Sequence, residues 1–135
     1  MNWKDCIKQG TAKNVKQDTN LIRALQQSAE KKFTTQKSIV LTDETVTSRI
    51  SLAYDALREL LEALAITNNY KIYNHECYIA FLKELLNEKA LGEYYNTYRK
   101  IRNDINYYGK DITTEEATAI LEGITTLIKK VKEKL

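Results

Sequence analysis

The sequence has no proline and only four glycines, Gly10, Gly92, Gly109 and Gly123, among its 135 residues. Sheet folds use such residues in their many tight turns, so this scarcity excludes an all-β reading and favours helices. Long apolar runs are missing too. None approaches the ~20 residues that span a bilayer. The opening Met1-Asn2-Trp3-Lys4-Asp5 lacks the apolar stretch of a signal peptide, so a soluble, unprocessed chain without membrane association is expected. Two cysteines, Cys6 and Cys77, lie far apart without CxxC or CxxH spacing. Neither a zinc site nor a disulfide framework is suggested, and a reducing, cytoplasmic setting fits.

Catalytic constellations are equally sparse. There is no P-loop, no GxGxxG and a single histidine, His75, so a His-rich metal site is excluded and no cofactor is expected. The carboxylates are scattered over helical faces, and no glycosidase-like pair stands out. Cys77 follows His75 by two residues, but in a helix's first turn the two fall on different faces, which makes a weak nucleophile pair.

What is present reads as one helical core. The length suits a single domain, since ~150 residues bury a sufficient core without staples, and no repeat or linker divides the chain. The expected fold is an all-α antiparallel bundle of about five helices, four long core helices plus a short N-terminal one, over residues 1–135. Trp3 to Lys8 forms the short helix, a lid with Trp3 and Ile7 on one face. Asp18 or Thr19 caps a second, carrying Leu21, Ile22, Leu25, Ala29 and Phe33. Thr42 is a natural cap for a long central helix with Val46, Ile50, Ala53, Leu57, Leu60, Leu61 and Leu64 on one face, ended by Asn68-Asn69. Asn74 caps a stripe of Ile79, Leu82, Leu85 and Leu86, with a break at Asn87 to Ala90. Leu91 to Tyr108 follows, closed by Gly109. Thr113 and Glu116 make a capping box for a last helix whose buried face runs from Ala117 to Val131.

Net charge is +3 and unevenly spread, basic at both ends and acidic from Ser38 to Tyr98. Ordinary solvated helix faces account for this, with a phosphate-binding surface as the minority reading. The cluster Lys129, Lys130, Lys132 and Lys134 sits where a helix C-terminus favours cations, so it is not counted as a nucleic-acid patch.

One segment concentrates polar chemistry: Tyr98-Arg99-Lys100-Ile101-Arg102-Asn103-Asp104-Ile105-Asn106-Tyr107-Tyr108-Gly109. At helical spacing Ile101, Ile105 and Tyr108 share a face to be buried, and Arg102 and Asn106 share a neighbouring one. A guanidinium fork with an amide beside it suits phosphate oxygens. The alternative is an inter-helix ion pair between Arg102 and an acid such as Glu59 or Glu62. The tyrosines Tyr94, Tyr95, Tyr98, Tyr107 and Tyr108 could stack bases, although at helical spacing they read better as core or interface residues.

Arg102-Asn103, followed four residues later by an aromatic near the end of the penultimate helix, resembles the HEPN superfamily signature of arginine, a polar residue, a short spacer and usually histidine. Tyr70-Lys71-Ile72-Tyr73-Asn74-His75-Glu76-Cys77 resembles the segment with a His-Glu pair between the middle helices of many members. Trp3-Lys4-Asp5-Cys6 resembles the opening of an archaeal branch. The resemblance implies a homodimer in which two motifs face each other across a cleft and cut RNA without a metal. Here the histidine position falls on Tyr107, or on Tyr108 with a longer spacer. A phenol of unperturbed pKa about 10 is a poor base. The resemblance therefore implies RNA or nucleotide binding through Arg102 and Asn103, with cleavage weakened or lost, and the neighbouring Asn106 and Arg99 are added as candidate binding residues. Catalysis by Arg102 with Tyr107 or His75 is the alternative, and a purely structural interaction module a third reading. His75 falls at the family's helix-start position, where capping or packing is its expected job. Some family members pair with a small nucleotidyltransferase in toxin–antitoxin-like systems, which makes such an enzyme a candidate partner and Tyr107 or Tyr108 a candidate modification site.

Overall fold

A computed structural model describes residues 1–135, and its architecture follows from local capping signals and one apolar helix. Helix α1 (Trp3–Lys8) starts at a capping box: the Asn2 side chain accepts from the Asp5 N–H at 2.8 Å and the Asp5 carboxylate accepts from the Asn2 N–H at 3.3 Å. Trp3 is its anchor, edge-on to Tyr70 with ring centroids 5.0 Å apart and tilted against Phe81. Ile7, expected beside Trp3, is exposed, while Cys6 is the buried residue.

After Gly10, at φ 75°, a short strand β1 (Ala12–Asn14) pairs antiparallel with β2 (Tyr70–Ile72) in the register Ala12 to Ile72, Lys13 to Lys71 and Asn14 to Tyr70. This ribbon is absent from the sequence expectation because three-residue strands leave too short a pattern to read. It corrects the cysteine reading as well. By returning the N-terminal segment to the middle of the chain it brings the Cys6 and Cys77 Cα atoms to 6.1 Å, and the two are joined by a disulfide across 71 residues of sequence. Cysteine spacing could not show a pairing between residues that only the tertiary fold brings together.

Helix α2 (Thr19–Ser38) is capped by Asp18, whose carboxylate accepts from the Leu21 N–H at 3.0 Å. Helix α3 (Val46–Thr67) is the core itself. Val46, Ile50, Ala53, Leu57, Leu60, Leu61 and Leu64 are buried as expected, and so are Tyr54, Ala56, Glu59, Ala63, Ala65 and Ile66 on the remaining faces. A helix buried around most of its circumference is a central one, and α3 packs against α2, the C-terminal helix, α5 and β2. The cap stands one turn later than expected: Thr42 opens a hydrogen-bonded turn and Thr45 is the cap residue. Asn68 and the left-handed Asn69, at φ 69°, end the helix as read from the sequence.

The Asn74 carboxamide accepts from the Glu76 N–H at 2.8 Å and leads into a single turn, α4 (Cys77–Ala80), which widens into a π-helical turn at Phe81–Leu85. One regular helix was expected there. Asn87, left-handed at φ 54°, makes the break before α5 (Lys89–Tyr108), and Gly109 at φ 60° closes it. Helix α6 (Thr114–Lys132) begins at the Thr113–Glu116 capping box and buries Ala117, Leu121, Ile124, Leu127, Ile128 and Val131.

Helix α5 is covered unevenly, and this positions the site. Leu91, Gly92 and Tyr95 in its first half are buried, whereas Ile101 and Ile105 are half-covered and Tyr107 and Tyr108 are 72% and 82% exposed. Tyr108 therefore does not join Ile101 and Ile105 in the core, because no element packs over the last turn of α5. The fold is an all-α bundle with a two-stranded ribbon at one end, and no helix is long and apolar enough to cross a membrane.

Candidate functional site

The polar chemistry converges where the uncovered half of α5 meets the middle of α3 and the segment before α4. Tyr54, in the middle of α3, is fully buried. Its hydroxyl stands 2.9 Å from the Tyr95 hydroxyl and 3.1 Å from Nδ1 of His75, and the Tyr95 hydroxyl donates to the His75 carbonyl at 3.1 Å. Burial pushes the Tyr54 phenol up and the Tyr95 phenol well up, so both keep their protons near neutral pH. Tyr78 packs edge-on to His75 and Tyr95, and burial together with the charge of Glu62 raises its pKa too.

Arg102 borders this phenolic cluster. Its guanidinium carbon lies 5.4 Å from the centroid of the Tyr54 ring, and Nη2 is 3.8 Å from Oδ1 of Asp55. That separation gives Coulomb attraction without a hydrogen bond. Nε is buried with no hydrogen-bond partner. The ion pair to Glu59 or Glu62 raised by the sequence is not formed, because both acids are engaged elsewhere. Glu59 meets Lys32 at 2.6 Å, and Glu62 meets Arg58 and Lys71, each at 3.2 Å. Arg99 sends Nε and Nη2 to the Asn96 carboxamide oxygen at 3.2 and 2.9 Å, a neutral acceptor that leaves its charge uncompensated. Arg58 keeps its charge: burial opposes it, but Tyr78 and Glu62 outweigh burial and raise its pKa.

Glu62 is shared by Arg58 and Lys71, Arg102 has one carboxylate, Asp55, within ion-pair reach, and Arg99 has none. The balance is positive, and it bears on the imidazole. Burial first, then Arg58 and Arg102, push the His75 pKa below its ordinary 6.5, against a smaller opposing pull from Asp55. Near neutral pH the site therefore holds a neutral imidazole beside under-coordinated cations. Such a set can hold an anion and accept a proton.

Of the residues singled out in the sequence, Arg99, Arg102 and Asn103 are half-buried on α5, and Asn106, Tyr107 and Tyr108 are exposed on its last turns. His75, expected first to cap or pack and in the alternative reading to act with Arg102, stands near it: both flank Tyr54, with the His75 and Tyr54 rings 6.1 Å apart. Tyr54, Asp55, Arg58 and Tyr95 were not anticipated as site residues. Tyr54-Asp55 stands between the apolar pairs Leu52-Ala53 and Ala56-Leu57 of α3, which is the signal that could have pointed to them. No three His, Cys, Asp or Glu side chains come together as a metal site. Three clefts elsewhere, the most voluminous about 580 Å³ and bordered by Gln36, Arg49 and Lys129, include neither Arg102 nor His75. No protein-family model matches the chain, and no curated protein matches it.

Proposed function

We propose that this chain is a HEPN-like protein that binds the phosphates of RNA or of a nucleotide through Arg102, with Arg99 and Asn103 beside it, and that it works as a homodimer. The observation that carries the reading is the state of Arg102: a half-buried guanidinium, held from one side by an aromatic face, with its Nε unpartnered and only a 3.8 Å contact to carboxylate. A buried charged donor without acceptors costs free energy, and a bound phosphate would supply them. Surplus charge from Arg99 strengthens the same preference. The exposed tyrosines at the end of α5, next to half-covered Ile101 and Ile105, support pairing of two copies through that end of the helix. The same exposure makes Tyr107 and Tyr108 accessible to a small nucleotidyltransferase.

Binding of a labelled single-stranded RNA and of a nucleoside triphosphate, measured against salt, tests the proposal. Arg102→Ala should weaken binding about tenfold or more, and the salt slope should fall by about one charge. Unchanged binding in Arg102→Ala combined with Asn103→Ala would instead favour a bundle that only docks protein partners. Light scattering on the same samples reads the dimer.

A further inference from the structure

We propose that the cleft between α2, the first turn of α3 and α6 is a second binding site, separate from that of Arg102, and that it takes a small organic phosphomonoester. A donor set built around a buried carboxamide, and positive charge that no ion pair relieves, carry the assignment.

The cleft follows from how the bundle is assembled. Helices α2 and α6 both lie along α3, and the ion pair of Glu30 with Lys132, at 2.9 Å, ties them to each other at one end. Away from that tie, Phe33, Gln36 and Lys37 of α2 and Glu122 and Lys129 of α6 border a space of about 580 Å³ together with Arg49 of α3. A volume of that size holds a small molecule.

Gln36 is only 2% exposed, one of two polar side chains buried in the whole chain. Its Oε1 accepts from both Nε and Nη2 of Arg49, at 3.2 and 3.0 Å. Arginine only donates, so the carboxamide is fixed with its oxygen towards Arg49 and its NH2 turned away. That NH2 makes no hydrogen bond within the chain and is not among the buried unpartnered atoms, so it opens onto the cleft that Gln36 lines. Nη1 of Arg49 is likewise without an acceptor in the chain. The arrangement leaves donors pointing outward from a buried anchor.

Charge points the same way. Arg49 stands in the first turn of α3, where the helix dipole disfavours a cation, and its only partner is a neutral oxygen. Lys37 lies over the Phe33 ring with Nζ 5.4 Å from the centroid, a contact that uses none of its N–H donors. Lys37, Arg49 and Lys129 thus face one carboxylate, Glu122, and none of the four enters an ion pair within the chain. A phosphomonoester brings close to two negative charges and three acceptor oxygens, which matches this surplus and these donors better than a carboxylate with one charge and two oxygens. The apolar part of the lining, Phe33, Leu41 and Leu121, accommodates an organic body on the phosphate.

Phenyl phosphate titrated into the 15N-labelled full chain tests the proposal, with benzoate and inorganic phosphate in parallel. Amide shifts should fall on residues 33–41 and 118–129, and phenyl phosphate should bind more tightly than either comparison ligand. Arg49→Gln should weaken binding about tenfold or more, through loss of charge-assisted hydrogen bonds. Glu122→Gln should strengthen it about two- to fivefold by removing the one opposing charge, a gain that a folding defect does not produce. No shift in the cleft at millimolar phenyl phosphate, or shifts confined to His75 and residues 99–106, would overturn the second site and leave the reading of Arg102 standing. Benzoate binding as tightly as phenyl phosphate would overturn the phosphate class. Unchanged affinity in Arg49→Gln or in Glu122→Gln would show that the charges described here do not hold the ligand.

Discussion

Arg102 is held by the ring of Tyr54 rather than by a carboxylate: the guanidinium carbon sits 5.4 Å from the ring centroid, and the nearest acid, Asp55, is 3.8 Å from Nη2. A cation over an aromatic face gains about 0.5–2 kcal/mol without using any of its N–H donors. The contact positions the charge and leaves the donors free, which a bidentate Arg–Asp pair would not do.

The two parts of Tyr54 can be separated by substitution. Tyr54→Phe keeps the ring face and deletes the hydroxyl, so it should leave Arg102-dependent phosphate binding within about twofold. It should destabilise the fold by roughly 1–3 kcal/mol, because Nδ1 of His75 and the Tyr95 hydroxyl each lose their contact with the Tyr54 hydroxyl in a buried setting. Tyr54→Leu should lose binding as well. Denaturant unfolding and RNA titration on the same preparations give both numbers, and equal binding by the Leu variant would show that the ring does not hold Arg102.

The Cys6–Cys77 disulfide closes a long loop, its ends 71 positions apart in sequence. By the loop-entropy account a cross-link of that span contributes about 4 kcal/mol against the unfolded chain. Reduction should lower the denaturation midpoint markedly, and Cys6→Ala should reproduce the reduced protein and become insensitive to reductant. Thiol counting on unfolded protein, without and then with reductant, provides the control. Two free thiols before reduction would remove the expected difference.

Much of the fold was legible because it rests on local signals. Asp18, Asn69, Asn87, Gly109 and the Thr113–Glu116 box each act within a turn of the residues they terminate or start, and each stands where its residue type says. The apolar pattern of α3 likewise exposed the core. What escaped depended on tertiary distance. The β1–β2 ribbon is too short to leave a period, and the disulfide joins cysteines 71 positions apart that only the tertiary fold brings together. Arg102 was visible as an arginine beside a core stripe, but its acid neighbour came from Asp55 and not from Glu59 or Glu62. The choice depends on which carboxylates Lys32, Arg58 and Lys71 already occupy. His75 looked like a helix-start residue because nothing in its own segment announces Tyr54 and Tyr95. Tyr108 matched the helical period and still lies exposed, since a period cannot tell where the covering elements stop.

Gly123 in α6 sits under the Tyr98 ring: a Cβ built there would fall 1.7 Å from the Tyr98 hydroxyl oxygen and 2.7 Å from Cζ. Gly123→Ala should therefore expel Tyr98 from its place between α5 and α6 and destabilise by roughly 1–3 kcal/mol. The helix propensity of alanine, worth about 1 kcal/mol over glycine, is too small to offset this. In a Tyr98→Ala background the sign should reverse and Gly123→Ala should stabilise by about 1 kcal/mol. A double-mutant cycle by thermal or chemical denaturation measures the coupling, and additive effects would show that the two residues do not meet.

The titration of His75 gives stability a defined pH dependence. Its folded pKa lies below the ordinary 6.5, chiefly through burial and then through Arg58 and Arg102. Between the folded value and 6.5 the unfolded chain binds a proton that the folded chain refuses, so stability rises with pH across that window. The contribution is complete above 6.5 and is lost as pH falls through the window, with a slope of at most about 1.4 kcal/mol per pH unit for one proton. Glu116 has a depressed pKa from the Thr113 backbone and side-chain hydrogen bonds, and it acts in a separate window, below the ordinary carboxyl value of 4.5. Denaturant midpoints between about pH 8 and 5 should therefore fall on the acid side in wild-type protein and flatten in His75→Asn, while Glu116→Gln alters only the more acidic limb. Because the chain has no other histidine, a fall that persists in His75→Asn over that range would mean that the imidazole is not the group held neutral by the fold.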